Sequence, residues 1–214
     1  MDKKYAIFDM DGTLVDSMGY WQHLASEFLA AKGILHVSEK LQEQIKPMTT
    51  LESAALFLKE FRLPGNPETI AGEMNAVMDR HYRRDIPLKE GIRDYLKCLR
   101  GKGVRMCVAS ATAEPLAEAC LKRLGILQYF DFLLSCETVG AGKNSPAVYF
   151  AAAERMGAPA KDIAVFEDAW FALETAKKAG FYVVGVYDES ASEYWEKICR
   201  MADETIRSDE GGKK

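Results

Sequence analysis

The stretch Tyr5-Ala6-Ile7-Phe8-Asp9-Met10-Asp11-Gly12-Thr13 constrains this chain more than any other. An apolar run of aromatic and β-branched residues that stops at Asp and Gly reads as a buried strand reaching its carboxyl edge. Side chains alternate along a strand, so Asp9 and Asp11 are expected on one side, with Met10 turned into the protein. Two neighbouring carboxylates with no basic residue between them repel. A cation relieves that repulsion, and hard oxygen donors suit Mg²⁺. Gly12 lets the chain leave the strand through a tight turn.

After Asp16 the apolar period changes from about two to about 3.6. Met18, Trp21, Leu24, Ala25, Phe28 and Leu29 share one helical face that ends near Gly33. A shorter helix is expected between Ser38 and Ile45. Thr49-x-x-Glu52 has capping-box spacing for a third, along which Leu51, Ala54, Ala55, Leu58 and Phe61 recur. Leu63-Pro64-Gly65 breaks it, and Asn66-Pro67 opens a fourth through Ile70, Met74, Val77 and Met78. Residues 17–87 thus read as an all-helical insertion of four helices, with Ile86-Pro87 as the return linker.

From Lys89 onward helices and strands alternate, with strands expected at 104–109, 132–134, 163–166 and 182–187. Alternation of this kind implies an α/β fold, a Rossmann-like parallel sheet with helices on both faces. Ligands on such sheets bind beyond the carboxyl ends of the strands. The domains are therefore a core of residues 1–16 and 88–214 and a helical domain of residues 17–87 inserted after the first strand. The tail Gly211-Gly212-Lys213-Lys214 is expected to be disordered.

Composition narrows the function. With 214 residues and 48% hydrophobic residues the chain can bury a sizeable core. The net charge of −4 gives no electrostatic case for nucleic acid or an anionic membrane surface. Cys98, Cys107, Cys120, Cys136 and Cys199 are scattered and lack C-x-x-C spacing, as reduced thiols of a cytoplasmic protein do. No apolar stretch reaches membrane-spanning length.

Further candidate residues fall where strands end. Ala109-Ser110-Ala111-Thr112 closes the second strand. A small hydroxyl beside backbone N–H groups suits a phosphate oxygen, and it equally suits a helix cap. Lys143 follows Gly140-Ala141-Gly142, where it is either a point charge aimed at the site or a solvated lysine. Phe166-Glu167-Asp168 ends the fourth strand, and Asp168 is either a ligand or the cap of the helix beginning at Trp170.

Taken in order, these stretches resemble the four signatures of the haloacid dehalogenase-like (HAD) hydrolase superfamily. Residues 8–17 resemble the first, in the phosphatase form with its second Asp. Ser110 matches the second. In the third, Lys143 and Pro146 match, while Asn144 and Ala147 replace a usual Pro and a usual acid. In the fourth, Glu167 and Asp168 match, while Ala169 and Ala172 replace Ser and Gly. The resemblance implies an aspartyl-phosphate mechanism with Asp9 as nucleophile and Asp11 as acid and base. It implies phosphate binding by Ser110, Ala111 and Lys143. It also implies a Mg²⁺ site from Asp9, Asp11 through its backbone carbonyl, and Asp168, with Glu167 as a ligand through water or a supporting acceptor.

The function expected is a Mg²⁺-dependent phosphatase of a small phosphorylated metabolite such as a sugar phosphate, acting as a monomer or weak dimer, with no nucleic-acid or membrane partner. The helical insertion, placed as the superfamily's C1 cap, is expected to set specificity, with Trp21, Lys46, Thr49 and Thr50 as candidates beside Tyr20 and Arg83. A β-phosphoglucomutase-like phosphomutase is the nearest alternative. Many members of that group carry a His where Trp21 stands and an Arg near Thr49 and Thr50; both are missing here. Phosphonate cleavage needs a Schiff-base lysine, for which Lys32, Lys40, Lys46 and Lys59 are available. A non-enzymatic binding protein predicts loss of Asp9, Asp11, Lys143 or Asp168, and all are present.

Overall fold

The structure is a computed structural model and describes residues 2–45, 48 and 50–207. Lys46, Thr49 and the 211–214 tail lie outside the described residues. The chain divides into two compact units, one of Met1–Ser17 with Ile86–Lys214 and one of Met18–Asp85.

The first unit is built on a six-stranded sheet in the order β3-β2-β1-β4-β5-β6. The strands are β1 (Tyr5–Phe8), β2 (Arg105–Ser110), β3 (Leu133–Ser135), β4 (Ile163–Glu167), β5 (Tyr182–Val186) and β6 (Glu204–Ile206), and every pairing is parallel. β1 is central, with Phe8 level with Val108 on one side and Phe166 on the other. Its alternation separates two cores. Ile7, Cys107 and Val165 face α8 (Ala147–Met156), α9 (Trp170–Lys178) and α10 (Trp195–Met201) through Val148, Leu173 and Ile198. Phe8 stacks on Phe166 at 4.2 Å, and Phe166 meets Tyr95 of α5 (Ile92–Gly101) on the other face. Ile7 and Phe8 are 0% and 1% exposed, and such burial stabilises by about 1.5–3 kcal/mol per side chain.

Two further helices follow strands in this unit, α6 (Glu114–Arg123) and the short α7 (Cys136–Val139). The sequence pattern did not reveal β6, α7 or α10. A three-residue edge strand has too few positions for alternation, and Glu204–Ile206 is only partly buried. Tight packing marks its neighbourhood: a Cβ on Gly185 of β5 would collide with Ile198 of α10.

The chain leaves and re-enters this unit through a short antiparallel ribbon. Val15 bridges Leu88, Asp16 N donates to Pro87 O at 3.0 Å, and Lys89 N donates to Leu14 O at 3.0 Å.

The second unit contains α1 (Met18–Ala31), α2 (Glu39–Ile45), α3 (Thr50–Phe61) and α4 (Pro67–Arg84). Asn66 caps α4 by accepting from Thr69 N, with Pro67 in the first turn. Leu24, Phe28, Phe57, Ile70, Met74 and Met78 form its apolar centre. α1 and α4 are also joined at the surface, where His81 contacts Glu27 Oε2 at 2.7 Å and Arg80 donates to Glu27 Oε1 at 2.6 Å. No helix among the described residues is long and apolar enough to cross a membrane.

Candidate active site

The candidate site lies where β2, β1 and β4 end side by side. Asp9 follows β1 directly, and its N–H donates to Phe166 O at 2.9 Å, which extends the ladder to this residue. Glu167 is the last residue of β4 and Asp168 follows it. All three acids are buried, and one carboxylate oxygen from each lies within 4.8 Å of the others.

Lys143 reaches this cluster from the loop between α7 and α8. Its side chain is 8% exposed, so it is no solvated surface lysine. The ammonium donates to Asp9 Oδ1 and, at 2.5 Å, to Glu167 Oε1. The same Glu167 oxygen accepts from the Tyr149 hydroxyl at 3.1 Å.

Among the described residues, three carboxylates therefore face a single bonded ammonium. Burial raises the proton affinity of Asp9 well above the ordinary range, Glu167 adds to it, and Lys143 opposes. Asp168 is pushed up to about 7, first by burial and then by Glu167, against the hydrogen bond from Thr13. Burial works against the charge on Lys143, but Asp9 and Glu167 outweigh it and hold the ammonium protonated. An all-oxygen donor set with excess negative charge fits a hard divalent cation such as Mg²⁺.

Gly12 brings the turn after β1 against this cluster. Its φ is +78°, and a Cβ there would lie 2.7 Å from Asp168 Cγ. A side chain is excluded on both counts. The next residue, Thr13, donates its hydroxyl to Asp168 Oδ1 at 3.0 Å.

The Asp11 carboxylate is not part of the acid cluster. Its Oδ1 accepts from Ser17 Oγ at 2.6 Å and its Oδ2 from Thr112 Oγ1 at 2.6 Å. Ser110 is buried at the end of β2 and its Oγ accepts from Thr112 N at 3.0 Å. α6 has Ala113 at its N-cap with no side-chain bond, so neither Ser110 nor Thr112 caps that helix. Likewise α9 is preceded by Ala169 with no side-chain bond, so Asp168 is no cap. Ala111 is exposed on the turn between Ser110 and Thr112.

In the helical unit, the Trp21 indole donates to the Tyr82 hydroxyl at 3.0 Å, and the two rings pack edge to face. Arg83 binds Asp79 through Nε at 2.9 and 3.0 Å. Tyr20 lies against His81, and Thr50 begins α3. Sequence reasoning missed Thr13 and Tyr149. Tyr149 had one signal: a phenol on the apolar face of a helix requires a buried hydrogen-bond partner.

A family model described as haloacid dehalogenase-like hydrolase matches residues 3–180. The chain is 29% identical over 189 residues to fructose-1-phosphate phosphatase YqaB of Escherichia coli, covering 87% of this chain and 98% of that one. It is 27% identical over 198 residues to β-phosphoglucomutase of Bacillus subtilis, covering 86% and 83%. Among solved structures, a putative β-phosphoglucomutase from Thermotoga maritima superposes with a TM-score of 0.80 at 24% identity, over 97% of this chain and 95% of that one. The parallel sheet, the acids at the ends of its two central strands and these matches agree: the chain belongs to the haloacid dehalogenase-like hydrolases, in the group that holds phosphatases and β-phosphoglucomutases.

Proposed function

We propose that this enzyme is a Mg²⁺-dependent phosphatase of a small phosphomonoester, a sugar phosphate or a similar metabolite, working through an aspartyl-phosphate on Asp9. The observation that carries this reading is the buried ammonium of Lys143 bonded to Asp9 and Glu167 at the strand ends. It sets a cation beside a carboxylate nucleophile, where an incoming phosphate also needs positive charge. The name of the Escherichia coli relative supports the substrate class.

Asp9 attacks phosphorus in line, the Asp9 Oδ–P bond forms and the P–O ester bond breaks. Asp11 gives a proton to the departing alkoxide and later takes one from the water that cleaves the acyl-phosphate. Ser17 and Thr112 hold the Asp11 carboxylate for that exchange. Ser110, whose oxygen already accepts from Thr112 N, has its hydroxyl proton available for a phosphate oxygen. The Ala111 backbone N–H and Lys143 take the others. Asp9, Asp168 and the Asp11 carbonyl would hold Mg²⁺, supported by Glu167. Bound there, Mg²⁺ supplies charge neutralisation between Asp9 and the incoming anion.

The helical unit is proposed as the cap that selects the substrate, since the residues of the sheet unit read only phosphate. A phosphomutase is the second reading, favoured by the Bacillus subtilis relative. Phosphate release from a panel of sugar, nucleotide and cofactor phosphates, with Mg²⁺ and with EDTA, tests the first. Mg²⁺-dependent release that disappears in Asp9→Asn supports it. A stable bisphosphate intermediate with no net release supports the mutase.

A further inference from the structure

Lys89 is a largely covered lysine, to whose side chain neither the fold nor the mechanism above assigns a task. Its side chain is 11% exposed, and it sits where the chain re-enters the sheet unit from the helical one. The ammonium has three protons, and it has three acceptors: Gly12 O at 2.6 Å, Tyr187 O at 2.6 Å and Asp188 Oδ2 at 2.8 Å. Asp188 is itself 6% exposed and directed by its second oxygen, which accepts from Ser190 N and Oγ. Its carboxyl is held below the ordinary range: burial works the other way, and the bonds from Lys89 and Ser190 outweigh it.

The acceptor on Gly12 gives the pair its significance. Gly12 must be glycine because of Asp168, and glycine leaves the turn between Asp11 and Thr13 its softest backbone torsions. A bond to Gly12 O fixes the following peptide plane, whose N–H belongs to Thr13, the residue that orients Asp168. The Lys89 backbone grips the same turn, donating to Leu14 O. We propose that Lys89, ion-paired to Asp188, is a positioning residue that locks the 9–15 turn against Asp168; its effect on turnover rests on the phosphatase reading.

The test compares wild type with Lys89→Met, Lys89→Arg and the double variant Lys89→Met/Asp188→Asn, in which no unpaired charge stays buried. Amide hydrogen exchange is followed in peptides covering residues 9–16 and, as a reference, β2. Turnover of p-nitrophenyl phosphate is measured with Mg²⁺. In the double variant, exchange in 9–16 rises about tenfold or more with β2 unchanged. Its kcat falls about tenfold to a hundredfold while KM moves less than about threefold. Lys89→Arg, which keeps the charge and the donors, recovers part of both. Wild-type exchange in 9–16 of the double variant overturns the proposal, as does acceleration spread equally over the sheet. Should Lys89→Met variants not fold, Asp188→Asn alone, which weakens one of the three bonds that direct the Lys89 ammonium, is expected to raise exchange in 9–16 by a smaller factor, and wild-type exchange there overturns the proposal. If wild type releases no phosphate, the phosphatase reading fails and the exchange data still decide whether Lys89 locks the turn.

Discussion

The Thr112 hydroxyl donates to the Asp11 carboxylate at 2.6 Å across 101 residues of chain. This bond fixes the rotamer of the residue proposed to shuttle the proton, and it comes from the turn that also carries Ser110. Hydrogen bonds to charged groups are worth about 1.5–3 kcal/mol, so Thr112→Val is expected to lower kcat about tenfold. KM for p-nitrophenyl phosphate should hardly change. Steady-state kinetics check this, and unchanged kcat would show that the Thr112 bond is not what orients Asp11.

Lys143 is the one ammonium bonded to the acid cluster among the described residues. Lys143→Met keeps the length of the stem and removes the charge. By analogy with the loss of a single oxyanion donor, kcat should drop by about 10²–10³-fold. The variant should also lose stability, since the buried acids keep no ammonium partner, although Tyr149 continues to bond Glu167. A melting curve beside the kinetics separates loss of chemistry from loss of structure.

Mg²⁺ should act as a stabilising ligand as well as a requirement for turnover. At about a hundred times its dissociation constant a ligand adds about 2.7 kcal/mol to stability. The melting temperature should therefore rise with Mg²⁺ and return with EDTA. Asp168→Asn should abolish that shift and most turnover. A Mg²⁺-dependent melting temperature that survives in Asp168→Asn would place the metal elsewhere.

His81 gives the helical unit a pH dependence. Its two ring nitrogens contact Glu27 at 2.7 Å and Asp85 at 2.8 Å. Burial disfavours the charged ring, but these bonds outweigh it, and its pKa is raised above 6.5. A raised folded-state value means the folded protein binds the proton more tightly. The stabilisation is therefore complete below the unfolded value and fades as pH rises from about 6.5 through the folded value. Glu27 and Asp85 are 40% and 48% exposed, which limits the effect to about 1 kcal/mol. Urea midpoints of wild type and His81→Gln should differ at low pH and converge as the pH is raised. A difference that grows with pH would contradict the assignment.

Much of the fold was legible because periodicity and chain breakers are local. The strand ending just before Asp9, the four helices after Asp16 and the Asn66-Pro67 start of α4 all follow from residues within a few positions of one another. The three-residue β6 carries too little pattern to be read at all. The candidate site was legible where an acid or a small hydroxyl stands at or just past a strand end, as at Asp9, Ser110 and Asp168. Lys143 alone looked like any surface lysine, and only the folded chain shows it buried between Asp9 and Glu167. The partners of Tyr149 and Lys89 were invisible for a stronger reason. Their partners lie 18 and 77 residues away, and no local rule couples Tyr149 to Glu167 or Lys89 to Gly12.

The parallel pairing of β1 with β4 has a consequence for how the protein comes into being. β1 is made first and stands at the centre of the sheet, yet Ile163–Glu167, its neighbour on one side, is made late. Contacts of such long sequence separation form slowly. A nascent chain that has emerged only through β2 holds Asp9 and Asp11 but lacks Lys143, Glu167 and Asp168. Neither the ammonium nor the acid cluster exists until most of the chain has been synthesised. Turnover would therefore report that folding has proceeded at least through β4, and truncations before β4 should be silent even where their N-terminal strands have formed.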